Sequence, residues 1–253
     1  HSNLGNILRD LGNLQDAELS YRKAIEIDPN FANAHSNLGN ILIDLGNLQD
    51  AELSTRKAIQ LDPNLANAHS NLGLILRDLG NLKESFDSYL RVIEIDRTYP
   101  NIYSFITELL YDSDPTQLNK SKLKNILNIL LEKNNISHNE LFKVFNFLYR
   151  KEILSNLEKF NSDFSKLELL INEKVIINAL KKIMFCDCKL EKFLTKIRRN
   201  ICRRIYTNIE NINYSELEFI IALGEQCFLN EYVYSITEEE KVNLNIIIKR
   251  CQD

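Results

Sequence analysis

The chain has 253 residues, 44% of them hydrophobic, with a formal net charge of -4 and a sequence pI near 5.7. That length admits one or two domains and a sizeable core, while the mildly acidic balance argues against nucleic acid or an anionic membrane as main partner, since both reward a strongly basic surface. No run approaches 18 apolar residues, so no membrane-spanning helix is expected.

The first hundred residues repeat. HSNLGN at residues 1–6 returns at 35–40, and HSNLGL follows at 69–74, each 34 residues on. Leu4, Leu38 and Leu72 coincide in this register, as do Gly5, Gly39 and Gly73, then Gly12, Gly46 and Gly80, and Pro29 with Pro63. A fixed period of this size marks a solenoid of stacked supersecondary units. Within the second unit Leu38, Leu42 and Leu45 recur at helical spacing, followed by Leu48, Ala51, Thr55 and Ala58 on a second helix. Between them, Asp44-Leu45-Gly46-Asn47 reads as a glycine stop and a new start. Asp62–Pro63 ends the second helix, because proline cannot continue the ladder.

These residues closely resemble the tetratricopeptide repeat family, whose 34-residue pattern falls on His35, Leu38–Gly39, Leu42, Ala51, Thr55, Ala58 and Pro63. The first repeat matches at His1, Leu4–Gly5, Leu8, Ala17, Tyr21, Ala24 and Pro29. The third drifts, with Ser85, Val92 and Arg97 at places where the family has Ala, Ala and Pro. A partial fourth begins at Pro100–Asp112, with Tyr103, Ile106 and Leu110 inward. The resemblance covers about residues 1–112 and implies an α-α superhelix of three repeats plus a partial fourth. The chain starts with His rather than Met, so the array is expected to be truncated at its N-terminus.

In the family the first helix of each repeat lines the concave groove. Asn33, Asn37, Asn40 and Asp44 share one stripe of such a helix. Asn67, Asn71 and Asp78 repeat it, with Leu74 in place of the third asparagine; Asn3, Asn6 and Asp10 give the first copy, and Asn101 marks the start of a fourth. The resemblance implies a ladder of amides able to pair with the backbone of an extended peptide, and carboxylates at Asp10, Asp44 and Asp78 that favour basic side chains on it. On this reading alanine at Asn37 and Asn71 weakens binding and leaves melting nearly unchanged. The carboxylate clamp known in the family uses groove lysines and an arginine; Ser2, Ser36, Ser70 and Asn71 stand there instead. His1, His35 and His69 occupy places where the family puts a large packing aromatic, so they read as partly buried structural residues. The adjacent Ser36 points about 100° away from His35 on a helix, which rules out a Ser–His nucleophile pair.

Beyond Pro115 the composition changes. The first 100 residues carry a net charge of -5 and the rest +1, and only Gly224 follows Gly80. The sequence predicts a second all-helical domain over 113–253, with capping boxes at Ser137–Glu140, Ser165–Glu168, Ser215–Glu218 and Thr237–Glu240. Leu190, Phe193, Leu194, Ile197, Ile201 and Ile205 form one apolar helical face. Lys189, Lys192, Lys196, Arg198, Arg199, Arg203 and Arg204 occupy the opposite face, which reads as a solvated surface. Five cysteines, an odd and sparse set, read as free thiols of a reducing cytosol and hence a cytoplasmic protein. Cys186–Cys188 is a weak metal or redox signal. Gln226–Val233, in the run Gln-Cys-Phe-Leu-Asn-Glu-Tyr-Val, and Lys189–Arg199 resemble the helical region preceding the catalytic domain in bacterial chains that join tetratricopeptide repeats to a methyltransferase. No glycine-rich turn follows residue 80, and His138 stands without a cysteine or carboxylate constellation. The sequence therefore predicts a non-catalytic protein-binding scaffold without cofactor or metal. The alternatives are the substrate-recognition part of a larger methyl- or glycosyltransferase, and oligomerisation through repeat stacking.

Overall fold

The computed structural model describes residues 1–158, 171–207, 214–229, 237–238 and 241–243, with backbone alone at 156–158, 202, 204–207 and 227–229. The chain divides into two compact units, His1–Ser113 and Asp114–Asp253. Among the described residues all regular structure is helical.

The first unit is a run of antiparallel helix pairs. The pairs are α1 (Ser2–Asp10) with α2 (Leu14–Ile27), α3 (Ala32–Asp44) with α4 (Leu48–Leu61), and α5 (Ala66–Asp78) with α6 (Leu82–Ile95). A single helix, α7 (Ile102–Asp112), follows. Each first helix stops the same way. Gly12, Gly46 and Gly80 take φ of 79°, 76° and 81°, a region costly for any residue with a Cβ. The left-handed turn lets the Asn13, Asn47 and Asn81 N–H groups donate back to the Leu8, Leu42 and Leu76 carbonyls at 2.8, 2.8 and 2.7 Å. Each second helix ends at an extended aspartate, Asp28, Asp62 or Asp96. Their carboxylates accept the N–H of Asn30, Asn64 and Thr98, closing a turn that points the chain into the next first helix.

Stacking of these pairs makes the core. Ala17, Tyr21, Leu38, Ile41, Leu42, Ala51 and Ile75 form one buried cluster spanning three repeats. Within each pair the helices approach closely at a glycine. A Cβ on Gly5 would lie 2.7 Å from the Tyr21 ring; Gly39 meets Thr55 in the same way, and Gly73 meets Tyr89. In α7, Tyr103, Ile106 and Leu110 are buried, as the spacing predicts.

In the second unit, α8 (Lys120–Glu132), α9 (Phe142–Glu158), α10 (Lys174–Lys182), α11 (Cys188–Thr207) and α12 (Tyr214–Leu229) pack through Leu127, Phe145, Leu180, Phe193 and Phe219. Leu190, Phe193, Leu194, Ile197 and Ile201 are all buried, as predicted, while the Ile205 side chain lies outside the described residues. On the other face of α11, Lys189, Lys192, Lys196 and Arg203 are exposed and Arg198 and Arg199 half-buried; the Arg204 side chain is not described. The capping boxes need correction. Ser137 opens only a 3-10 turn at His138–Leu141 and makes no capping bond. Ser215 lies inside α12, one residue after its first. Ser165–Glu168 and the Glu240 end of the last box lie outside the described residues. Among the described α-helices of this unit, Asn119 caps α8, its Oδ1 accepting the Ser121 and Lys122 N–H groups, and Asp187 caps α11, its Oδ1 accepting those of Lys189 and Leu190. No described helix is long and apolar enough to cross a membrane.

Candidate peptide-binding face

Hydrogen bonds between repeats show that the first helices stand side by side. The Asn37 amide on α3 donates to Asn6 Oδ1 on α1 at 3.4 Å. The Asn71 amide on α5 donates to the Ser36 carbonyl on α3 at 3.2 Å, and Arg77 on α5 reaches Glu108 on α7 at 3.2 Å. Asn6, Asn37 and Asn71 therefore lie where neighbouring first helices meet.

The asparagines of the stripes do not all face outward in the same condition. Asn6, Asn37 and Asn71 are half-buried and already hold neighbouring helices together. Asn6 Oδ1 also accepts a 2.6 Å bond from the Tyr21 hydroxyl, which ties α1 to α2. Asn3, Asn33 and Asn67 are exposed and Asn40 is half-buried, and no side-chain hydrogen bond engages these four among the described residues. The expectation that alanine at Asn37 and Asn71 leaves melting unchanged is accordingly revised. Each removes an inter-helix bond worth about 0.5–1.5 kcal/mol.

The acidic part of the stripe also differs from the expectation. Arg9 pairs with Asp10 at 3.3 Å and Arg77 with Asp78 at 3.5 Å. Ile43 stands at the corresponding place beside Asp44, so Asp44 alone keeps an unpaired carboxylate. Asn101 does not extend the ladder inside a helix. It caps α7 in the left-handed region at φ 59°, and the stripe continues through half-buried Phe105 and exposed Glu108.

The histidines are structural. His35 and His69 are half-buried, and their Nε2 atoms lie 3.0 and 2.9 Å from the Pro29 and Pro63 carbonyls. The tautomer that donates from Nε2 satisfies each carbonyl and pins the proline turn to the next first helix. His1 is exposed. Ser36 and Ser70 are buried, so neither offers a hydroxyl to a ligand.

Sequence reasoning missed a second repeated feature. Between successive second helices lie two open clefts of about 530 and 500 Å³. Arg22, Ile25 and His35 line one, and Arg56, Ile59 and His69 the other, all displaced by one period. The 34-residue recurrence of Arg22–Ile25–His35 was the available signal. The two clefts diverge on the α4 and α6 wall, where Leu53, 69% exposed, is replaced by Asp87.

Burial raises the Tyr89 phenol to about 12, and raises that of Tyr21 in the same direction. Both lie under the first-helix face and stay neutral over the ordinary pH range. Among the described residues no three His, Cys, Asp or Glu side chains gather as metal ligands.

Comparison with known proteins places the repeats. A family described as "TPR repeat" matches residues 5–46, and two described as "Tetratricopeptide repeat" match 32–65 and 66–99. No curated protein matches the chain. Among solved structures, similar ones include the first repeat domain of Spaghetti (RPAP3) bound to an HSP90 peptide, at 22% identity over 43% of this chain and 86% of that one, TM-score 0.42. MamA protein follows at 21% identity over 68% and 93%, TM-score 0.48. An O-GlcNAc transferase mutant of Thermobaculum terrenum is similar at 23% identity over 49% and 24%, TM-score 0.43. Overlap at this level carries no argument about ligand or activity, and the assignment rests on the family matches and the period. Residues 5–99 are a run of tetratricopeptide repeats, and the first unit has the α-α superhelical fold of that family.

Proposed function

We propose that the first unit is a non-catalytic scaffold that binds an extended protein segment across its first-helix face. The observation that carries this reading is the set of amides without internal partners, Asn3, Asn33, Asn40 and Asn67, spread over the first helices α1, α3 and α5. Each offers both a donor and an acceptor, so together they suit a peptide backbone whatever its side chains. With Asp10 and Asp78 partnered inside the chain, only Asp44 is left to favour a basic ligand residue. Of the segments that carry the resemblance to transferase chains, Lys189–Arg199 lies within α11, and in Gln226–Val233 only the Gln226 side chain is among those described. The substrate-recognition alternative therefore rests on sequence alone.

The test uses peptides selected from a random library against the full chain. The combined change Asn33→Ala, Asn40→Ala and Asn67→Ala removes no internal side-chain bond, so melting should stay within about 0.5 kcal/mol of the parent. Affinity for the selected peptides should fall at least about tenfold, one bond's worth per amide lost at minimum. Unchanged affinity, or amide shifts confined to α2, α4 and α6 on titration, would reject the first-helix face.

A further inference from the structure

The Cys186–Cys188 pair takes no part in the scaffold, and its setting in the second unit is unusually well built. Residues 183–187 form a non-helical strap between α10 and α11, which Ile183 begins in an extended conformation. Along an extended chain successive side chains point to opposite sides, and this strap alternates strictly. Ile183 and Phe185 are buried and Asp187 is largely so, whereas Met184, Cys186 and Cys188 are exposed.

The inward set fixes the strap along its length. Phe185 packs against the Phe142 and Phe145 rings at centroid distances of 5.8 and 5.0 Å. Asp187 accepts a 2.8 Å bond from Arg150 Nε and caps the first turn of α11. The Met184 N–H donates to Asn139 Oδ1 at 2.9 Å, and the Ile183 N–H to the Ala179 carbonyl at 2.8 Å. The outward set is thus three exposed sulfur side chains two residues apart, on a strap anchored from its inward side and at the first residue of α11, with Cys186 Sγ 3.7 Å from the Met184 carbonyl.

We propose that Met184, Cys186 and Cys188 bind one thiophilic monovalent cation of the Cu(I) type, through two thiolates and one thioether. Soft sulfur ligands select such an ion over harder divalent metals. Cα atoms two residues apart on an extended chain lie about 6.6 Å from each other. Their sulfurs converge readily on one ion at about 2.3 Å, the length of a thiolate bond to a d10 metal. Binding is ligand exchange without redox change: two thiol protons leave to water and two metal–sulfur bonds form. The product carries one net negative charge at the start of the 20-residue helix α11, where the helix dipole favours an anion.

The test titrates the reduced, oxygen-free full chain with Cu(I) against the chromogenic chelator bathocuproine disulfonate. Cys202, Cys227 and Cys251 are retained in every variant, so differences report on the strap. The parent should withhold one equivalent more than the Cys186→Ser/Cys188→Ser variant, and the gap should close for either single serine. Met184→Leu keeps the apolar volume and should weaken retention at least about tenfold while leaving the stoichiometry at one. Equal retention by the parent and the double variant, with both showing the same helicity, overturns the site. So does displacement of the bound ion by equimolar Zn(II). Unaltered retention by Met184→Leu overturns the thioether's part in it.

Discussion

Gly73→Ala separates two opposed effects whose difference has a definite sign. In the interior of a helix, alanine is ordinarily more stable than glycine by about 1 kcal/mol. At residue 73 the added Cβ collides with the edge of the Tyr89 ring. That ring is fully buried and has Phe105 as a neighbour at a centroid distance of 6.0 Å, so it has nowhere to swing. Relief requires α5 and α6 to separate, an overpacking cost in the upper part of the usual range, about 2–3 kcal/mol. The net expectation is a loss of about 1–2 kcal/mol, and a midpoint lower by roughly 3–10 °C for a unit of this size. Thermal unfolding of the full chain by circular dichroism reads the loss. Hydrogen exchange of the α5 and α6 amides assigns it to the first unit. In a Tyr89→Ala background the obstacle is gone, and the same glycine change should instead gain about 1 kcal/mol. A stabilising Gly73→Ala in the parent would refute the glycine-to-ring contact as the feature that sets helix spacing.

Gly224 supplies the opposite case: no atom lies within 4 Å of a Cβ built there and its φ is unexceptional, so Gly224→Ala in α12 should raise stability by about 0.5–1 kcal/mol in urea unfolding. Tyr89, raised to about 12 by burial, should give the array an alkaline limit. Its contribution is complete below pH 10, the unfolded value, and disappears as pH rises through 12, at most about 2–3 kcal/mol, read as a falling urea midpoint alongside phenolate absorbance. Burial alone would raise the Asp187 carboxyl, but Arg150 and the Leu190 and Lys189 N–H groups hold it below the usual range. The stability it adds is present above the unfolded carboxylate value, about 3.9, and is lost as pH falls through its lower folded value. Asp187→Ala should accordingly cost about 0.5–2 kcal/mol at neutral pH and remove that acid dependence.

The repeat, its glycine stops and the face that carries the asparagines were legible because each is fixed by local chemistry at a fixed spacing. Gly46 needs a positive φ whatever surrounds it, and Asp62–Pro63 ends a helix whatever follows. What the spacing did not reveal was which amides are free. Asn33 and Asn37 differ by one helical turn and share a residue type, yet only Asn37 reaches a neighbour. That depends on how near α1 and α3 approach, a distance set by packing at Tyr21 and Leu38 rather than by the asparagines. The second unit was less legible for the same reason. Ser137–Glu140 satisfies a capping pattern, but the chain there makes only a 3-10 turn, while Asn119 and Asp187 cap α8 and α11 without a glutamate at the third position. The alternation of Met184, Cys186 and Cys188 was visible in the sequence. Its anchoring was not, because Asn139, Phe145 and Arg150 lie some 40 residues away.

The chemistry of the first-helix face shifts along the array, and the shift bears on what it suits. The place of Asn37 is held by Asn71 in the next repeat and by Phe105 in the last; that of Asn40 passes to Leu74 and then Glu108. Packed helices stand about 8–10 Å apart, so an extended segment advances roughly three residues from one first helix to the next. A ligand of about six to nine residues would then meet free amides at one end and Leu74 with Phe105 at the other. Backbone pairing holds a segment without regard to sequence, and an apolar side chain against Phe105 would fix its register. On the proposed function the face would therefore combine indifference to sequence at Asn33 and Asn40 with a preference at Phe105. Selected peptides should share one large apolar residue at a constant place and vary elsewhere.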